Sequence, residues 1–77
     1  MSKAKLCNGM VVHVSSREEN NKFLEMLEGL VDGINDFYDI YKDQTCYEID
    51  DWYLYYSDVN YYESEGIEIY EFEDVEL

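Results

Sequence analysis

A chain of 77 residues with 19 acidic against 5 basic residues carries a net charge of −14. It is sized for one small domain, residues 1–77, and its sign excludes nucleic acid and anionic membrane as direct partners, because both are negative. No apolar window is long enough to span a bilayer and no apolar run follows the N-terminal lysines, so a cytoplasmic protein is expected, with Cys7 and Cys46 as reduced thiols.

Taken in order, Asn8-Gly9 is the first structural signal. Asn-Gly favours a type I′ turn, so a strand or hairpin is expected with arms at 3–7 and 10–14. His13, the one histidine, reads as a half-buried strand residue, because no Cys-His or His-His spacing accompanies it. Ser16-Arg17-Glu18-Glu19 fits a capping box. Behind it Phe23, Leu27, Leu30, Ile34, Phe37 and Tyr41 recur at helical spacing, which predicts one long amphipathic helix over 17–42. Gly29 and Gly33 would each cost such a helix about 1 kcal/mol. A kink or the close approach of another element would explain them. Glu25, Glu28, Asp32, Asp36, Asp39 and Asp43 line the opposite face of that helix. Such a row is either an ordinary solvated face or a set of carboxylates presented to something basic.

After Lys42 there is no Lys or Arg, yet 12 of the 19 acids follow it. This half is not disordered in character, because Tyr47, Trp52, Tyr53, Tyr55, Tyr56 and further aromatics alternate with the acids. Strands are expected at 45–49, at 52–57 and, short, at 61–63. Asp50-Asp51 and 57–60 read as turns between them. A turn at 64–66 precedes a last strand at 67–73, where the apolar phase shifts from Ile67 and Ile69 to Tyr70 and Phe72, as at a bulge or along a strand buried on both faces. The fold class is therefore α+β: an N-terminal strand or hairpin and one helix packed on an antiparallel meander.

No motif for chemistry emerges. The serines and cysteines lack a nucleophile setting, and His13 alone could serve them. Asp58-Val59-Asn60 opens like a calcium loop, but Glu63 stands where the glycine belongs. No enzyme activity, cofactor or metal is expected. What remains is carboxylates interleaved with tyrosines, a combination suited to a basic cleft: carboxylates can stand in for phosphates, and Tyr supplies rigid contact area. The expected interface comprises Asp50, Asp51, Tyr53, Tyr55, Asp58, Tyr62, Glu68, Glu71 and Glu73, together with the helix acids Glu25, Glu28, Asp32, Asp36 and Asp39.

In size, charge, acidic helix face and acidic sheet, the chain resembles the DNA-mimic inhibitors of phages and mobile elements, such as anti-CRISPR proteins. That resemblance implies a non-enzymatic protein, monomer or homodimer, that occupies the basic DNA-binding cleft of a Cas effector where target DNA, often its PAM end, enters. An antitoxin or immunity protein directed at a basic nuclease is the alternative within inhibitors. Leu54-Tyr55-Tyr56-Ser57-Asp58 is faintly similar to the Tyr-Tyr segment of colicin DNase immunity proteins, which is helical there. An assembly protein, acidic for solubility alone, is the alternative from another class.

Overall fold

Ser16 starts the first helix as its sequence requires. Its hydroxyl accepts from the Glu19 amide at 3.1 Å, while the Glu19 carboxylate accepts from the Ser15 amide at 2.9 Å, one residue beyond the usual box. A computed structural model describes residues 3–76; Met1, Ser2 and Leu77 of the expected domain lie outside them. Its elements are β1 (Ala4–Lys5), β2 (Val11–Val14), α1 (Arg17–Leu27), α2 (Tyr38–Tyr41), β3 (Thr45–Asp50), β4 (Tyr53–Asp58), α3 (Val59–Ser64), β5 (Ile69–Glu71) and β6 (Val75–Glu76).

The long helix is not formed: α1 ends at Leu27, not Lys42. Glu28 is its C-cap, and Gly29 follows at φ +82°, in the left-handed region where glycine commonly stops a helix. Residues 28–37 then run irregularly. Val31 still enters the core, and Asp32 bridges the edge of β4 beside Tyr53. Gly33 has a different reason to be glycine. Its φ is +74°, and a Cβ there would lie 2.6 Å from Cε1 of the Tyr53 ring. Close approach was one of the two expectations for these glycines, and it holds at Gly33.

The main sheet has the order β4-β3-β2-β5. β2, β3 and β4 are antiparallel neighbours, as a meander requires, but β5 joins β2 in parallel, so the sheet is mixed. The connection from β4 to β5 carries a helix, as parallel strands demand. That helix is α3, and it occupies the ground expected for a turn and a short strand. Asp58 is its N-cap, accepting from the Tyr61 amide at 2.9 Å. The N-terminal hairpin is also absent. β1 pairs in parallel with β6 in a separate two-stranded sheet, and Asn8 caps another turn, its Oδ1 accepting from the Trp52 amide at 2.9 Å. That amide belongs to the β3–β4 hairpin, where Asp51 and Trp52 both have positive φ, the type I′ pattern without its usual glycine. The phase shift after Ile69 marks a strand covered on both faces and not a bulge: Ile69 packs on the side of Val11 and Cys46 and Tyr70 on the side of Val12, and once β5 stops at Glu71 a 3-10 turn swings Phe72 edge-on to Phe23 at 6.2 Å.

Alternation along the strands makes two cores. Val12, Val14, Tyr47, Ile49 and Leu54 meet Phe23 and Leu27 of α1 on one face. Val11 and Cys46 meet Tyr62 of α3 on the other. Leu30, expected in the stripe, is half exposed.

Candidate functional site

The helix acids do not form a row. Glu25 lies on α1, Glu28 caps it, and Asp32 pairs its backbone with β4. Asp36 and Asp39 both grip Arg17, whose guanidinium lies 4.9 Å over the Tyr38 ring. Asp36 also accepts from the Tyr38 amide and from Asn20. The Tyr38 amide, aided by Arg17, holds its carboxyl below the usual range. The row fails because its spacing assumed helix across Gly29 and Gly33. Two of its five candidate residues are instead paired with Arg17 at the surface.

The sheet acids and tyrosines fare differently. Register places Asp50 opposite Tyr53 and Glu48 opposite Tyr55, so all four project from the face that α3 partly covers. Glu71 joins this face from β5 and meets His13, whose Nδ1 lies 2.9 Å from a Glu71 oxygen and whose Nε2 lies 2.6 Å from the Asp43 carbonyl oxygen. Both partners are acceptors, so only the doubly protonated ring donates to both. Between β4 and α3 runs an open groove of about 270 Å³, lined by Glu48, Asp50, Tyr55, Tyr61 and Tyr62. β2, β3, β4, α3 and β5 contain no Lys or Arg.

Four expected contact residues are placed otherwise. Tyr62 is 1% exposed and cannot offer its ring to a partner; its hydroxyl donates to Glu48 at 3.2 Å. Asp58 is spent as a helix cap. Glu68 accepts from the Tyr70 hydroxyl at 3.3 Å, and Glu73 belongs to the turn after β5. Asp51 stands at the hairpin tip beside Trp52, exposed and held at positive φ. Sequence reasoning missed Glu48, Tyr61 and Trp52 as surface partners. Glu48 was findable, since it shares strand parity with Asp50. Tyr61 was not, because its position depends on α3.

The acidic face acts on what lies beneath it. Burial, reinforced by Glu71, Asp58 and Glu63, pushes the Cys46 thiol from 9.0 to about 12. On the other face burial pushes the Tyr47 hydroxyl from 10.0 to about 12. Each group stays neutral in the fold at a pH where the unfolded chain has begun to ionise. Their stabilising contribution is fully present below pH 9.0 and is lost as the pH rises through about 12. The melting temperature should therefore fall steadily from pH 9 to pH 11, and less steeply in Cys46→Ala. A flat profile over that range would contradict the burial of these groups.

Salt provides a second check. Arg17, Lys22 and Lys42 make exposed ion pairs, which contribute little because solvent screens them. Screening weakens those pairs, but it also weakens the mutual repulsion of a −14 chain, and the repulsion dominates. Raising NaCl to about 0.5 M should raise the melting temperature. A fall would mean that the ion pairs outweigh the repulsion.

Among the described residues, no three His, Cys, Asp or Glu side chains converge as a metal-binding group. Among those residues, no helix is long and apolar enough to cross a membrane. A second hollow, of about 520 Å³, lies between α1 and Phe72 and mixes Lys22, Glu25 and Met26 without convergent chemistry. What the fold and the face define is a small α+β domain with one strongly acidic, tyrosine-bearing sheet face. Comparison with known proteins adds nothing to that class: no family model, no curated protein and no solved structure matches the chain.

Proposed function

We propose that the protein is a non-enzymatic inhibitor that places its acidic sheet face in the basic DNA-binding cleft of a bacterial defence nuclease, foremost a Cas effector. The observation that carries this reading is the face itself: Glu48 and Asp50, with Glu71 paired to His13 beside them, project among exposed tyrosines from elements with no Lys or Arg. Strand geometry sets the scale of the mimicry. Acids at alternate strand positions stand about 6.7 Å apart, against about 3.4 Å per phosphate along one DNA strand. The face is too sparse to replace a long duplex track. It suits a short site read by a few arginines, as at the PAM end of a Cas target. Tyr53 and Tyr55, both about half exposed with ring centroids 5.4 Å apart, supply flat contact area between the charges.

Order of addition tests the reading. Added to a guide-loaded Cas effector before its target DNA, the protein should block DNA binding. Added after the DNA complex has formed, it should inhibit poorly. Equal inhibition in both orders, or none in either, rejects competition for the DNA site.

A further inference from the structure

Resting on that reading, we infer that the groove between β4 and α3 is an arginine pocket: it takes one arginine side chain of the basic partner and discriminates against lysine. The molecule shows the required chemistry within itself. Arg17 is bound by two carboxylates, Asp36 and Asp39, with an aromatic ring, Tyr38, against the guanidinium face. The exposed lysines are bound differently. Among the described residues, Lys22 pairs with Glu18 alone, and Lys42 with Asp39 alone, at 3.6 Å.

The groove offers the same three parts to an outside group. Glu48 and Asp50 supply two carboxylates from alternate positions of one strand, and Tyr55 and Tyr61 supply ring surface from β4 and α3. Tyr61 and Tyr55 are each about half exposed, so their rings are accessible to a partner. Tyr62 fixes the floor. Its buried hydroxyl donates to one Glu48 oxygen, and its ring meets Tyr61 edge-on at 5.0 Å, so both groups are held before a partner arrives. The cavity and its aromatic walls are features that a merely solvated acidic surface would not need.

A planar guanidinium can face a ring while donating to carboxylates at its edge, whereas an ammonium is a compact, strongly hydrated point charge. The pocket should therefore separate the two cations, which a plain field of negative charge would not do.

The test uses the full chain with two synthetic probes, an eight-residue arginine peptide and an eight-residue lysine peptide at equal ionic strength. The arginine peptide should bind about tenfold more tightly. Its amide chemical-shift changes should centre on Glu48, Asp50, Tyr55 and Tyr61. Tyr55→Leu and Asp50→Asn, both at exposed positions, should bring the two peptides to within about twofold of one another, while circular dichroism stays native. Asp74→Asn removes the same charge away from the groove and should leave the preference intact. Equal affinity of the native chain for both peptides overturns the inference, as does a preference that survives Tyr55→Leu. Failure here is separable from failure of the proposed function. If Tyr55→Leu abolishes the arginine preference yet native protein does not compete with target DNA, the pocket stands and the DNA-mimic reading falls. If native protein competes with DNA but binds both peptides alike, the pocket falls alone.

Discussion

Leu27→Ala is expected to cost about 2 to 5 kcal/mol, and Leu30→Ala no more than about 0.5 kcal/mol. Both lie on the apolar stripe legible in the sequence, three residues apart, but the chain leaves the helix between them. Leu27 is fully buried against the sheet together with Phe23, while Leu30 is 51% exposed in the turn after α1. Removing buried methyl groups forfeits their transfer energy and leaves a cavity beneath α1, which has only 11 residues with which to close it. A domain of this size has roughly 4 to 12 kcal/mol in total at the usual per-residue stability. Leu27→Ala should therefore lower the melting temperature by about 10 °C or more, or leave the protein partly unfolded. Chemical denaturation of the two variants side by side decides the matter. Comparable losses would restore the long helix and refute the break at Gly29.

That break shows where sequence reasoning stopped. The start of α1 was legible because a capping box acts within four residues. So were β3 and β4, whose bounds depart by a single residue at each altered end. The end of α1 was misread because apolar spacing continued past it: Val31, Ile34 and Phe37 still pack inward, but from an irregular segment. Gly29 was the available signal, and its cost within a helix was weighed without the stop it makes just after one. α3 was hidden for a different reason. Asp58 serves equally as a turn former and as a helix cap, and only the demand for a crossover to a parallel β5 decides between them. The pairing of β1 with β6 joins the two ends of the chain and has no local signature at all.

The same break explains the partial legibility of the candidate site. Strand parity is local, so Asp50, Tyr53 and Tyr55 could be assigned one face from the sequence once β3 and β4 were recognised. Helical parity failed with the helix, and Asp36 and Asp39 are taken up by Arg17. Tyr62 reads in sequence like its neighbour Tyr61, but the helical rotation of about 100° per residue places the first in the core and the second on the surface. Acidity alone therefore did not identify the presented carboxylates; topology selected them.

Asp50→Lys should weaken inhibition of a DNA-dependent target by about a hundredfold or more. Losing one partner of a desolvated charge pair costs about 2 to 5 kcal/mol, and each 1.4 kcal/mol is a factor of about ten, so removal alone predicts about 30-fold to several thousandfold. Reversal adds repulsion from the partner's own cations. Asp50 is the cleaner choice over Asp51, which sits at φ +54°, where Lys would carry a backbone cost unrelated to charge. Asp50 ends β3 with its side chain exposed and makes no ion pair among the described residues, so its reversal should leave the circular dichroism spectrum native. Kinetics refine the expectation. Reversal of an exposed acid should slow association and flatten its dependence on salt, because steering is long-range. Tyr55→Ala should instead speed dissociation, because ring contact acts only once the partner is seated. Alanine at Lys3 and Lys5 should change neither rate by more than about twofold, a weak effect of rim charge. If Asp50→Lys leaves inhibition within threefold of native while the fold persists, this sheet face is not the surface that meets the partner.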